Sequence, residues 1–459
     1  MGVHPYIPNS VPEVKKDMLK AIGVKSSKEL FSCIPPDLML KRPLNLPPPA
    51  AEYDVMREIE QALSKNRTGT DLLSFLGAGC WPHFIPAVCN EINSRSEFVT
   101  AYTGDVYTDL GRYQALFEFQ SMMGELVGLD AVGFPLYDWA TACGDAGNMA
   151  LGITGRSEIF VPSLMSPERL SVLEAHVEPR AKIRKVPFIG DTGQMDLQAL
   201  SEAISNKTAA VYIENPTYLG YLESEAAAIA DIAHNSGALF CVGVEPLSLG
   251  LLRAPGDYGA DIVCGEGQPL GMPMAFGGAL MGFLACKDDP SYISASGNRM
   301  ITITSTKQEG QHGFAYVLPE RTIFCSRDKA PTSTGTASAL WAITAAVYLS
   351  LLGPHGIRDL AKSIMQRSHY AMKRLSKLPG VVVPCFDAVH YQEFTVSFRE
   401  TGKSVREVNE LLLKKGIQGG KDVSQEFPLL ADTALYCVTE VHTQEDLDRL
   451  VTATEEVTG

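Results

Sequence analysis

TAAVYIENPTYLGYLESEAAAIADIAHNSGALFCVGVEP, residues 208–246, decides the fold. Its ends, AAVYIENP (209–216) and ALFCVGVEP (238–246), are short apolar runs closed by proline. Between them Glu223 to His234 has helical spacing, and Asn235-Ser-Gly237 stops it. Strand, helix and strand in so short a span form the unit from which parallel sheets are built. The pattern extends both ways. Upstream lie RSEIFVP (156–162), a helix opened by Ser166-Pro-Glu168, AKIRKVPF (181–188) and a helix from Asp196; downstream lie ADIVCGEG (260–267) and ALMGFLAC (279–286). The expectation is an α/β fold, a parallel sheet with helices on both faces.

Outside this block the texture changes. Residues 1–70 read as a helical and extended arm, because RPLNLPPPAAEYD (42–54) can be neither regular helix nor central strand. A large α/β domain is expected over 71–353. It closes with ALWAITAAVYLSLLG (339–353), too short for a comfortable membrane span and suited to a buried helix. Residues 354–459 read as a small C-terminal α+β domain. A long amphipathic helix leads to VVVP (381–384), QEFTVSFRE (392–400), a helix over 404–415, ALYCVTE (434–440) and a closing helix from Thr443.

Bulk properties narrow the function. With 45% hydrophobic and 20% charged residues, the 459-residue chain has the composition of a soluble globular protein. A net charge of -14 argues against nucleic acid or an anionic membrane as partner, since both demand clustered Lys and Arg. The ten cysteines form no C-x-x-C pair and no zinc spacing, which points to a reducing, cytoplasmic setting. MGVHPYIPNS shows no basic segment followed by an apolar one, so no secretory leader is expected.

Local chemistry gathers at the strand ends. Asn215 can point at a ligand from the carboxyl end of its strand, or it can simply open the Asn-Pro turn. Glu245 stands where pyridoxal enzymes place the acid that faces the ring nitrogen. Such enzymes need a lysine some twenty residues later, yet none occurs between 245 and 286; Lys287 reads as a solvated strand end and Lys307 as a surface residue. The helix start Tyr137-Asp138-Trp139-Ala140-Thr141 could offer free amides to a phosphate, but Trp139 would block close approach. FLGAGCWPHFIPAV (75–88) and NSRSEFVTAYT (93–103) bring His83, Arg95, Tyr102 and Thr103 into one Gly- and Pro-rich region. They serve either a ligand or the local backbone.

These residues resemble a family, the α subunit (subunit 1) of decarboxylating glycine dehydrogenase, the P-protein of the glycine cleavage system. HPYIPNS (4–10), LKRPLNLPP (40–48), SFLGAG (74–79), SRSEFVTAYT (94–103), ALFEFQ (115–120), EPLSLGLLRAPGDYGADIVCGEGQPLGMPMAFGG (245–278), RDKA (327–330), VYLSLLGPHG (347–356) and CVTE (437–440) carry the likeness. The resemblance implies the pyridoxal-phosphate fold type I, aspartate aminotransferase-like. It also implies a similar β subunit that holds the lysine and the pyridoxal phosphate, while this chain carries neither, Gln268 standing near the lysine's place. Glycine would lose CO2 and its aminomethyl group would pass to the lipoyl arm of H-protein. His83, Tyr102, Thr103 and Arg327 would reach the partner's site. The chain departs from the family pattern at Gly104-Asp105-Val106, at Glu245, at Trp139 and over Ala330–Ala337. A different amino-acid substrate, or a non-catalytic scaffold, therefore stand as alternatives.

Overall fold

The structure, a computed structural model, describes residues 3–69, 71–98, 112–278, 280–332 and 334–459. The chain divides into two compact units, Met1–Arg67 and Thr68–Gly459. The first holds the helices Pro12–Ile22 and Glu52–Leu63, started by Pro12 and closed by the left-handed Gly23 in the first case, and neither helix buries a residue.

The second unit is built on a seven-stranded sheet. Its strands in chain order are β1 (Ala131–Val132), β2 (Glu158–Pro162), β3 (Lys182–Val186), β4 (Thr208–Glu214), β5 (Leu239–Val244), β6 (Ile262–Glu266) and β7 (Gly282–Cys286). Their spatial order is β1-β7-β6-β5-β4-β2-β3, and β7 alone runs antiparallel to both its neighbours. Every residue of β4, β5 and β6 is buried. Alternate side chains enter opposite cores: Val211, Ile213, Phe240, Val242 and Val263 on one face, Ala210, Tyr212, Cys241, Ile262 and Cys264 on the other. Each fully buried Val, Ile or Phe contributes about 1.5–3 kcal/mol, so the middle of the sheet is its most stable part.

The first core is covered by helices Tyr113–Val127, Ala226–Asn235 and the front of Ala339–Leu375; the second by Trp139–Thr154 and Pro167–Val177. The expected helix starts are present. Asp196 caps the amide of Ala199, while Ser404 and Thr443 each close a capping box. Ala339–Leu375 is 37 residues long, and among the described residues it has the length and composition to cross a membrane; its face of Ala342, Ile343, Ala345, Tyr348 and Leu349 nevertheless lies in the first core. Gly353, at φ +59°, breaks its regularity just before Pro354.

The C-terminal residues form an antiparallel three-stranded sheet, Glu393–Ser397, Thr433–Cys437 and Lys421–Asp422. The run VVVP makes only a single bridge, Val382 with Ser397, instead of the expected strand. Two pairings escape sequence patterning altogether. Leu73–Ser74 runs parallel to Ile417–Gln418, and Ile301–Ser305 pairs with His312–Tyr316 as a hairpin whose turn contains Lys307.

Candidate functional site

The central strands β4, β5 and β6 each end at a glutamate: Glu214, Glu245 just beyond β5, and Glu266. Carboxyl ends of parallel strands are where open α/β sheets bind ligands. Here they border a crevice of about 10 Å3, room for one water, with Trp81, Trp139, Arg169, Tyr218, Glu245 and Glu393 in its lining.

Each glutamate is engaged by its own chain. Glu214 takes both nitrogens of Arg169 in a bidentate pair, Nε to Oε1 at 2.6 Å and Nη2 to Oε2 at 2.8 Å. Burial works against the guanidinium, but the Glu214 charge and hydrogen bonds prevail, so Arg169 stays a cation. It lies 4.0 Å from the Trp139 ring centroid and 5.5 Å from that of Tyr218. Trp139 Nε1 donates to the Tyr212 hydroxyl at 3.2 Å, and that hydroxyl donates to Glu214 at 3.3 Å. The indole presses so closely on Gly243 that a Cβ there would lie 2.8 Å from Trp139 Cζ2.

Glu245 lines the crevice, but both its oxygens are engaged by local backbone. Its oxygens accept from the amides of Leu247 at 2.9 Å and Ser248 at 2.8 Å, capping the turn that follows. Burial pushes its carboxyl up to about 7 against the lowering influence of His83. Glu266 accepts from the amides of Gln268 at 3.0 Å, Met281 at 2.8 Å and Trp139 at 3.1 Å. Burial pushes it, too, up to about 7.

Gln268 is a structural tie. Its oxygen accepts from the Trp81 amide at 3.0 Å, and its nitrogen donates to the carbonyls of Trp81 at 3.1 Å and Met272 at 2.9 Å. Thus Gln268 joins the Gly- and Pro-rich segment to the turn that follows β6. His83, two residues on, is buried, with Nδ1 2.9 Å from Glu440 Oε2. Glu440 also accepts from the Phe84 amide at 2.7 Å. Burial raises the Glu440 carboxyl, but the His83 charge and hydrogen bonds outweigh it and hold the group below its ordinary range. His83 Nε2 is buried and has no hydrogen-bond partner among the described residues.

Neither His83 nor Arg327 lines the crevice. Arg327 is exposed, at φ +50°, after the short helix Ile323–Ser326. Tyr102, Thr103 and Asp105 lie outside the described residues. Asn215 turns its amide on Glu223, donating to the carbonyl and accepting from the amide, both at 3.2 Å, so the turn explains it. Lys287 is half-exposed and pairs with Asp261. Among the described residues, no group of His, Cys, Asp and Glu could hold a metal ion. Sequence reasoning missed Arg169, Glu214, Glu266, Glu393 and Glu440. The three glutamates ending successive apolar strands were visible as a pattern; Arg169, inside PERLSVLEAHV, gave no signal.

The crevice does not fit a pyridoxal phosphate. It has room for one water, none of its lining residues is a lysine, and the Trp139 amide of the adjoining helix is already held by the Glu266 carboxylate.

Comparisons with known proteins agree with this architecture. A family model described as the glycine cleavage system P-protein matches residues 4–454. The probable glycine dehydrogenase (decarboxylating) subunit 1 of Staphylothermus marinus is 40% identical, covering 98% of this chain and 97% of its own. That of Thermococcus kodakarensis is 41% identical, covering 100% and 99%. A crystal structure of glycine decarboxylase (P-protein) of the glycine cleavage system, in inhibitor-bound form, superposes over 100% of both chains with a TM-score of 0.84 at 34% identity. A NifS-like protein, 11% identical with a TM-score of 0.61 over 84% of this chain and 99% of its own, shares the fold alone, which is pyridoxal-phosphate fold type I.

Proposed function

The chain belongs to the P-protein family of the glycine cleavage system, and on that premise we propose that it is the cofactor-free subunit of a paired, pyridoxal-dependent glycine decarboxylase. A similar partner subunit supplies the lysine and the pyridoxal phosphate, which serves as the electron sink when glycine loses its carboxylate. The C–C bond to the carboxylate breaks and CO2 leaves. The remaining electron pair forms a C–S bond to the lipoyl arm of a carrier protein as the lipoyl disulfide opens to a thiol. The substrate carbon is oxidised and the disulfide reduced.

One observation carries this reading: a complete fold of the pyridoxal type whose own crevice, lined by Trp139 and Arg169, has room for one water. Such a chain decarboxylates nothing by itself, yet it keeps every layer of the fold. The residues we assign to the partner's site are Arg327, which is exposed, Tyr102, Thr103 and His83. The buried, unpartnered Nε2 of His83 supports its assignment, because a polar atom left open inside a protein calls for a group that arrives later. The subunits would work in the cytoplasm.

Co-expression with a lysine-bearing partner tests the proposal. The pair is expected to exchange label between bicarbonate and glycine, and either chain alone to fail. A fully cofactor-loaded pair that exchanges no amino acid in a panel would sink it in favour of a scaffold. Exchange confined to a larger amino acid would overturn glycine as the substrate.

A further inference from the structure

A pyridoxal-type chain without its lysine could still hold the cofactor non-covalently if the crevice were open, because the phosphate is gripped by helix amides and not by the lysine. The missing lysine therefore does not by itself keep the cofactor out of this crevice. Here the grip is taken. Asp138 Oδ1 accepts from the Thr141 amide at 2.7 Å, and Glu266 Oε2, reaching from the end of β6, accepts from the Trp139 amide at 3.1 Å. Asp138 is a local helix cap of the ordinary kind. Glu266 is not local; it lies 127 residues along the chain and is 1% exposed. Its second oxygen binds the amides of Gln268 and Met281, so the carboxylate is fixed from three directions. The Trp139 ring, which lines the crevice, is fixed by a hydrogen bond to the Tyr212 hydroxyl at 3.2 Å and by the Arg169 guanidinium 4.0 Å from its centroid.

We propose that Glu266, Asp138 and Trp139 form a built-in plug, in which the two carboxylates stand in for a phosphate on the helix Trp139–Thr154 and the indole stands in for a ring, so that this chain excludes phosphate esters from its own crevice. Exclusion is then an active feature of the side chains present, independent of the lysine that is lacking. It confines the cofactor to the partner's site and leaves this half of the pair a rigid wall. The inference rests on the proposed pairing only for that last consequence.

The test uses the full-length chain and two probes, inorganic phosphate and pyridoxal phosphate. Asp138→Ser keeps a capping side chain while removing one charge; Glu266→Ala removes the other. The wild type, Asp138→Ser alone and Gln268→Lys should retain neither probe in equilibrium dialysis. Their melting temperatures should be the same in phosphate as in chloride of equal ionic strength. The double variant Asp138→Ser/Glu266→Ala should retain one phosphate per chain and melt at a higher temperature as phosphate is raised. Adding Trp139→Ala should admit pyridoxal phosphate as well. If the double variant fails to fold in chloride, recovery of folding by phosphate supports the plug, and failure of phosphate to rescue it counts against. Wild-type chain that binds either probe at this helix, or a folded double variant indifferent to phosphate, overturns the proposal. Glycine exchange by the wild-type pair is unaffected by these outcomes, so the plug and the proposed function can fail separately.

Discussion

Replacing Arg169 by Met should be among the most damaging single changes in the second unit. The guanidinium and the Glu214 carboxylate are 7% and 2% exposed and joined through two hydrogen bonds. Removing the cation leaves Glu214 buried with only the Tyr212 hydroxyl, at 3.3 Å, to answer it. Orphaning one member of a buried ion pair costs about 3–5 kcal/mol. Loss of the 4.0 Å stack on Trp139 adds about 0.5–2 kcal/mol. The ratio of folded to unfolded chain should thus fall at least about 300-fold, since every 1.4 kcal/mol is tenfold. Urea unfolding monitored by tryptophan fluorescence reads the loss, because Trp139 is in the cluster. The double variant Arg169→Met/Glu214→Leu removes both charges and should recover most of the loss, short by about 1 kcal/mol for the Tyr212 hydroxyl left without its acceptor. A single variant that loses less than about 1 kcal/mol, or a double variant no better than the single, would refute the claim that this pair is dry and mutually dependent.

Gln268→Lys should give no stoichiometric borohydride-stable pyridoxyl adduct, since the crevice has room for one water and Glu266 still holds the Trp139 amide; mass spectrometry showing one adduct per chain at position 268 would contradict that. Burial raises the carboxyls of Glu245, Glu266 and Glu393 to about 7 from an ordinary 4.5, so the folded chain binds more protons than the unfolded chain in that window. Their stabilising contribution is therefore fully present below about 4.5 and is lost as pH rises through about 7, by at most about 1.4 kcal/mol per pH unit for each group. Glu393→Gln keeps the acceptor for the Ala78 amide at 2.5 Å and should make the stability profile shallower; an unchanged profile would refute the assignment. Gly220→Ala should fail to reach the native state in refolding yields, because at φ +91° its Cβ would fall on the Glu393 carbonyl oxygen; near wild-type recovery would show that the backbone can move there.

The amino-acid sequence alone determined the parallel middle of the sheet, but not the antiparallel setting of β7 or the edge strand β1. β4, β5 and β6 are unbroken apolar runs, the first two separated by a stretch with helical period, and such strands are stable only with both faces covered. Helix starts at Ser166, Asp196, Ser404 and Thr443 were equally legible, since caps and prolines act through bonds within one turn. The lack of a lysine between 245 and 286, and the obstructing Trp139, could also be read directly. The long-range pairings could not. Leu73–Ser74 meets Ile417–Gln418 across some 340 residues, and two-residue strands have no period to recognise. The hairpin over 301–316 was missed because the four residues of Ile301–Ser305 after the first are exposed, leaving no alternation for the eye to find. Above all, only the tertiary structure decided what occupies the crevice. Glu266 reaches a helix 127 residues earlier, and Arg169 reaches Glu214 over 45. A buried charge is tolerable only where the fold brings it a partner, and the chain's local chemistry is silent about which distant group that will be.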